Sequence, residues 1–144
     1  MIRNYQAADI DQILAIWLSA SIQAHNFIEA AFWQSKIGEM RDVYIPASET
    51  RVYTADGKIV GFYSLYENNL AAIFVAPNSQ GKGVGALLLD DAKNRREQLQ
   101  LTVYKDNTPS IRFYEKNGFS LLGEQIDEHT GHSELIMAYH SSSN

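Results

Sequence analysis

The chain has 144 residues, of which 45% are hydrophobic and 20% are charged, with a formal net charge of −5. This size fits one domain over residues 1–140, with a frayed tail at 141–144. An acidic chain does not match a nucleic-acid-binding surface. No apolar run approaches the ~20 residues that span a bilayer, and the first residues lack the apolar core of a secretory signal. We therefore expect a cytoplasmic protein. Because the chain has no cysteine, disulfides, thiolate metal sites and a cysteine nucleophile are excluded.

The first part of the chain predicts a short strand at residues 2–5 and two helices. The first helix opens at Asp9, with an apolar stripe that begins at Ile10 and includes Trp17. The small and polar residues 19–26 predict a bend. A second helix is expected at 28–44, ending before Pro46.

A three-stranded meander is predicted next. Asp56-Gly57 is a strong signal for a tight hairpin between strands at 51–55 and 58–66. A second turn at 67–69 returns the chain as an apolar strand at 70–75, which Pro77 ends.

The segment at 76–86, here called the glycine loop, joins that strand to a predicted helix. Gly81, Gly83 and Gly85 let the backbone approach a ligand closely and adopt dihedrals that other residues avoid. The N–H groups at the start of a helix attract anions, so the loop is suited to phosphate. The P-loop pattern fails because Gly83 stands where Ser or Thr should bind magnesium. The dinucleotide pattern is met formally, with Asp106 near the ribose-binding position. A glycine-rich turn without a ligand is the remaining alternative.

The last part of the chain predicts a strand at 99–104, parallel to the strand at 70–75 by the right-handed crossover rule. A helix should follow, with Thr108 as its N-cap, Pro109 in its first turn and Gly118 as its C-terminal cap. Strands at 119–123 and 135–139 should then form an antiparallel pair.

Two motifs resemble those of the GNAT superfamily of N-acetyltransferases. Gln80-x-x-Gly83-x-Gly85 after Val75-x-Pro77 resembles that family's acetyl-CoA pyrophosphate loop, and the segment from Asn107 to Phe119 resembles its second signature block. The element order is similar along nearly the whole chain, and His25-x-Phe27 is similar to small bacterial single-domain members. The resemblance implies an α/β (α+β) fold with a mixed, mostly antiparallel twisted sheet of about seven strands flanked by about four helices.

The same resemblance implies an enzyme that uses acetyl-CoA and no metal. Main-chain groups near Phe74 and Val75 would hold the pantetheine arm, Asn107 would bond the cofactor, and Tyr114 would donate a proton to the departing thiolate. The pyrophosphate would lie on the loop residues Gln80, Gly81, Lys82, Gly83, Val84, Gly85 and Ala86. The acceptor would be a primary amine of a protein N-terminus, a lysine or a small molecule, and the enzyme a monomer or homodimer.

The sequence offers two candidates for the general base. Thr102 occupies the strand position at which many relatives have a glutamate. Glu67 is the first candidate and His25 the second, and both are expected to converge on the acceptor side. Glu67 could equally be a solvated turn carboxylate and His25 a loop histidine bonded to backbone. His129-x-x-His132 lacks an obvious third metal ligand.

Two other classes of function remain compatible with the glycine loop. A dinucleotide-dependent redox protein would use the same glycines, and a non-catalytic CoA-binding module would keep the fold without transferring acetyl. Comparing acetyl-CoA with NAD(H) in thermal shift, and assaying transfer to amines, would separate them.

Overall fold

A computed structural model describes residues 1–141, so residues 142–144 of the predicted tail lie outside the described residues. The strands are β1 (Ile2–Asn4), β2 (Glu49–Ala55), β3 (Lys58–Tyr66), β4 (Asn69–Val75), β5 (Gln98–Tyr104), β6 (Ser120–Ile126) and β7 (Ser133–His140). The helices are α1 (Ile10–Ala24), α2 (Ala30–Ser35), the single turns α3 (Ile37–Glu39) and α4 (Ile45–Ala47), then α5 (Val84–Lys93) and α6 (Thr108–Lys116).

The seven strands form one sheet in the order β1-β2-β3-β4-β5-β7-β6. All neighbouring strands are antiparallel except β4 and β5, which run parallel. The predicted mixed, mostly antiparallel sheet is therefore confirmed. Within residues 1–141, four helices have six or more residues, namely α1, α2, α5 and α6. None of the helices within residues 1–141 has the length and apolar character needed to cross a bilayer.

Helices cover both faces of the sheet and create two apolar clusters. On one face, Leu88 and Leu89 of α5 pack with Leu99 and Met137 of the central strands. On the other, the first helices pack on Val52, Ile59 and Phe62. In the central strands β3 and β4, neighbouring side chains enter opposite clusters, as the pleat requires: Phe62 and Phe74 lie in one cluster, and Tyr63 and Ile73 in the other.

The meander follows the predicted turn chemistry. Asp56 and Gly57 both have positive φ, at 54° and 77°, as the primed hairpin turn demands. Glu67 is in the left-handed region at the second turn, with φ 54°. A register shift on β4 leaves Ala71 as an extra residue opposite β3. Such a bulge bends the strand and increases its twist.

Three predicted elements differ from those observed. The bend predicted at 19–26 begins only at His25, because α1 continues through Ala24, where Ala20 and Ser21 are small enough to pack closely against the core. The helix predicted at 28–44 is interrupted at Lys36 and continues as short turns with a π-helical segment, Met40–Tyr44. The final strand pair is longer than expected, since cross-strand pairing extends into the polar residues after Gly123.

Candidate active site

Strands β4 and β5 separate from each other toward their C-terminal ends. Their backbones pair in register at Asn69 and Gln100, and the Gln100 N–H donates to the Asn68 carbonyl at 2.9 Å. Among the described residues, pairing between the two strands goes no further. Both strands nevertheless stay bonded on their outer edges, β4 to β3 through Val75 and β5 to β7 through Tyr104. The facing edges therefore form a wedge-shaped opening.

Main-chain groups of Ile73 and Val75 line the β4 side of this opening. The Ala76 N–H donates to the Val60 carbonyl at 2.8 Å. Because hydrogen-bonded pairs alternate in an antiparallel ladder, Phe74 also directs its N–H and C=O to β3. The N–H and C=O groups of Ile73 and Val75, on either side of Phe74, therefore point away from β3. This corrects the expectation that main-chain groups near Phe74 face the cofactor. The Phe74 ring packs on Phe62, with 5.8 Å between the ring centroids. Ile73, which sequence reasoning missed, lines the opening together with Val75.

The glycine loop follows β4 and leads into α5. Gly81 and Gly83 have φ of 79° and 86°, and nothing lies within 4 Å of the position a Cβ would take on either. Gly83 is the N-cap of α5 and has no side chain to satisfy the first N–H groups of the helix. The Gln80 side chain donates to the Val75 carbonyl at 3.0 Å, which folds the loop back on the strand. The loop thus presents unshielded backbone N–H groups at a helix N-terminus, the arrangement that binds anions.

The other loop residues divide between core and surface. The side chain of Val84 is buried, so only its backbone is available to a ligand, whereas Lys82 is exposed. Ala86 is half-buried in the first turn of α5.

Gly85 serves packing and not a special dihedral. Its φ is not in the left-handed region, and a Cβ there would lie 3.4 Å from Cζ of Phe113. Helices α5 and α6 therefore approach closely at this point. This contact fixes the start of α5 against the helix that carries Tyr114.

Tyr114 lies near the end of α6, with its ring 5.5 Å from Phe113 and 5.7 Å from Phe119 between centroids. Burial raises the pKa of its hydroxyl above the ordinary tyrosine value. Within residues 1–141 this hydroxyl has no hydrogen-bond partner, while those of Tyr63 and Tyr104 are bonded to Asp91 and Asp127. The helix ends as predicted, with Gly118 at φ 94°.

Asn107, and not Thr108, is the N-cap of α6. Its Oδ1 accepts the Ser110 N–H at 3.4 Å, and its Nδ2 lies 3.3 Å from Nε2 of His25. The residue is buried, with 6% of its surface exposed. The side chain is therefore held at both ends.

The two candidate bases lie in different surroundings. His25 is buried, and its ring nitrogens face Ser21 and Asn107. Burial lowers the pKa of His25 despite the Ser21 carbonyl, which acts in the opposite direction. Glu67 is exposed in the turn before β4, where its carbonyl accepts from Arg96 at 2.8 Å.

The predicted convergence of Glu67 and His25 is wrong. The turn that holds Glu67 lies at the paired, closed end of β5, next to Gln100. His25 contacts the other end of the strand, with its ring 5.2 Å from that of Tyr104. Thr102 lies between these ends and is exposed.

A cleft of about 280 Å³, the acceptor-side cleft, lies between the segment joining α1 to α2 and the segment joining β6 to β7. Tyr104 borders it, with its ring 5.7 Å from Phe27. Burial alone would raise the pKa of Asp127, but hydrogen bonds from Tyr104, the His129 N–H and Thr130 lower it. The same hydrogen bonds tie the segment between β6 and β7, which forms one wall of the cleft, to β5. The lining residues are Phe27, Ile28, Glu29, Phe32, His129, Thr130 and His132.

Comparisons with known proteins agree with this geometry. The family model of the GNAT acetyltransferase domain matches residues 46–121. The peptidyl-lysine N-acetyltransferase YiaC of Escherichia coli (strain K12) is 36% identical over 140 residues, which cover 96% of each chain. The solution structure of apo-form YjaB from Escherichia coli matches with a TM-score of 0.86 and 26% identity, covering 99% of this chain and 98% of that one.

A third match is the crystal structure of the PaiA N-acetyltransferase from Thermoplasma acidophilum in complex with coenzyme A. Its TM-score is 0.80 at 20% identity, covering 97% of this chain and 98% of that one, which speaks for the fold. Together, the matches and the antiparallel meander before the glycine loop remove the dinucleotide-dependent redox alternative. The chain belongs to the GNAT acetyltransferase family and is an N-acetyltransferase.

Proposed function

We propose that this enzyme transfers the acetyl group of acetyl-CoA to the ε-amino group of lysine in proteins or peptides. The observation that carries the proposal is the 36% identity to a peptidyl-lysine N-acetyltransferase over 96% of both chains. The acceptor-side cleft is consistent with a lysine side chain, because aromatic rings can pack along its methylenes while Glu29 attracts its ammonium group.

Acetyl-CoA supplies an activated thioester. In this proposal the backbone N–H groups from Gly81 to the first turn of α5 hold the pyrophosphate. Main-chain groups of Ile73 and Val75 bond the pantetheine arm along the open edge of β4. This arrangement orients the thioester in the wedge between β4 and β5 and so reduces the entropy cost of the reaction.

Tyr114 is proposed to assist the departure of the thiolate. The raised pKa of Tyr114 keeps its proton in place at neutral pH. A thiol has a pKa near 8.5, well below that of tyrosine, so Tyr114 stabilises the leaving sulfur mainly by donating a hydrogen bond. Its hydroxyl is available because no described residue bonds it.

The acceptor amine must lose its proton before attack. At its ordinary pKa, fewer than about one lysine amine in a thousand is neutral at pH 7. Since Glu67 lies at the closed end of the wedge and both ring nitrogens of His25 have partners in Ser21 and Asn107, we propose that this proton leaves through water. The rate should then rise with pH as the neutral amine becomes more abundant.

A matched pair of peptides tests the acceptor. One has a blocked N-terminus and one lysine, and the other has a free N-terminus with arginine in place of that lysine. Incubation with enzyme and acetyl-CoA, followed by mass spectrometry, should detect one acetyl group on the first peptide alone. Acetylation confined to the second would assign the enzyme to protein N-termini and refute the proposal.

A further inference from the structure

We propose that His25 is a positioning residue: through Asn107 it sets the N-terminal cap of α6, the helix that carries Tyr114. The kinetic consequence rests on the proposed function, in which Tyr114 acts at the leaving sulfur. The contact itself is a property of the folded chain and is testable without any substrate.

The surroundings of His25 fix both its tautomer and its orientation. Nδ1 lies 2.9 Å from the Ser21 carbonyl, which can only accept, so Nδ1 carries the proton. Nε2 is then a lone-pair acceptor facing Nδ2 of Asn107 at 3.3 Å. The imidazole stacks on Trp33 at 5.0 Å with an interplanar angle of 29°. With 7% of its surface exposed, His25 has little contact with solvent.

This arrangement selects one orientation of the Asn107 amide. The NH₂ group donates to His25, which turns Oδ1 toward the Ser110 N–H at 3.4 Å. If the amide were turned over, its NH₂ would face the Ser110 N–H and its oxygen would face a lone pair. Both hydrogen bonds would be lost in a buried place, where unpaired polar groups are costly.

The cap determines how α6 is held. The helix has only nine residues, so fraying of its first turn would affect a large part of it. Phe113, next to Tyr114, is the residue that meets Gly85 of α5. A shift of α6 would therefore move the Tyr114 hydroxyl relative to the glycine loop.

His25 also adjoins the acceptor-side cleft. Phe27, two residues further along, lines that cleft, and its ring lies 5.8 Å from the imidazole. The bond between His25 and Asn107 thus ties the wall on the acceptor side to the helix on the cofactor side.

Two substitutions of His25 separate its two bonds. His25→Asn retains a donor near Nδ1 for the Ser21 carbonyl but is too short to reach Asn107. His25→Gln can place an oxygen near Nε2 for Asn107 but gives up the bond to Ser21. We expect His25→Asn to lower kcat roughly ten- to a hundredfold, with KM for acetyl-CoA nearly unchanged, because misplacement of a catalytic group has costs of this order. His25→Gln should retain most of the wild-type kcat. Equal kcat in the two variants, or a loss confined to KM, would overturn the inference.

Amide hydrogen exchange measures the cap directly in the free enzyme. The Ser110 amide should exchange faster in His25→Asn than in wild type, and His25→Gln should restore its protection. Unchanged exchange at Ser110 in His25→Asn overturns the inference. This exchange rate does not depend on the acceptor. If the enzyme acetylated no lysine peptide, the proposed function would be refuted, but the exchange experiment would still decide whether His25 sets the cap.

The opposite side of the contact provides a test if the histidine variants do not fold. Asn107→Ser keeps an oxygen that caps α6 without needing His25, whereas Asn107→Ala has none. Both lack the amide, so any direct contact of Asn107 with cofactor is removed equally. A higher kcat and slower Ser110 exchange in Asn107→Ser than in Asn107→Ala support the step of the inference that links the cap of α6 to Tyr114. Equal values in the two variants overturn it.

Discussion

Replacing Gly83 by alanine should raise the Kd for acetyl-CoA, and the backbone strain that alanine introduces into the folded protein should not account for this loss of affinity. Gly83 has φ 86° and open space where a Cβ would stand, so the methyl group meets no neighbouring atom. The cost to folding is then the backbone penalty of an L-residue in the left-handed region, roughly 1–2 kcal/mol. The methyl group would also cover the N–H groups that face the proposed pyrophosphate.

Gly57→Ala is the matched control. Gly57 has φ 77°, again with nothing within 4 Å of a Cβ, but it lies in the β2–β3 turn outside the glycine loop. Urea denaturation should give both variants a similar loss in free energy of unfolding. Isothermal titration with acetyl-CoA should give a Kd raised at least about tenfold for Gly83→Ala, because a hydrogen bond to a charged group contributes about 1.5–3 kcal/mol. The Kd of Gly57→Ala should equal that of wild type.

A folded Gly83→Ala variant that is as destabilised as Gly57→Ala and binds acetyl-CoA with the wild-type Kd would contradict this prediction. The glycines would then serve the turn alone, and the pyrophosphate would lie elsewhere.

Three further changes test other parts of the structure. Tyr114→Phe should lower kcat roughly ten- to a hundredfold, with unchanged acetyl-CoA affinity, because a hydrogen bond to a charged group contributes about 1.5–3 kcal/mol. Near-normal turnover limited by chemistry would remove Tyr114 from catalysis. The hydrogen bond from Arg3 holds the pKa of Asp9 in the folded protein below its usual value. The ionised Asp9 therefore stabilises the folded state fully above about pH 4, and this contribution is lost as the pH falls through the lower pKa of the folded protein. Asp9→Asn should thus be less stable than wild type at neutral pH, with the difference in urea midpoint closing in acid. Burial lowers the pKa of His25 in the folded protein, so the unfolded chain takes up this proton at a higher pH than the folded chain does. The free energy of unfolding should therefore decrease as the pH drops below about 6.5. His25→Gln should lose that part of the pH dependence.

The order of the elements and the glycine loop were predictable because they depend on local chemistry. Asp56-Gly57 has few alternatives to a tight hairpin, and both residues do have positive φ. The parallel neighbour of β4 followed from the handedness of crossovers.

Contacts between residues distant in sequence were not predictable in this way. Asn107 and Thr108 are both good N-caps, and what distinguishes Asn107 is its bond to His25, 82 residues away. Gly85 has the same motif position as a phosphate-binding glycine, yet its neighbour Phe113 becomes evident only when two helices are packed together.

The place of Glu67 shows a third limit. The turn itself was predicted, but its distance from the wedge depends on which end of β4 separates from β5. The open end is determined by the backbone pairing of Asn69 with Gln100, which joins the N-terminal halves of the two strands. The spacing of apolar residues in the sequence does not indicate where two strands pair.

Titration of ¹⁵N-glycine-labelled enzyme with acetyl-CoA tests the central claim most directly. The chain has nine glycines, so each amide signal can be followed separately. Binding as proposed should shift the signals of Gly81, Gly83 and Gly85 strongly, while Gly38 and Gly57 stay in place. Saturable binding that leaves the three loop signals unmoved would contradict the claim that the glycine loop holds the cofactor.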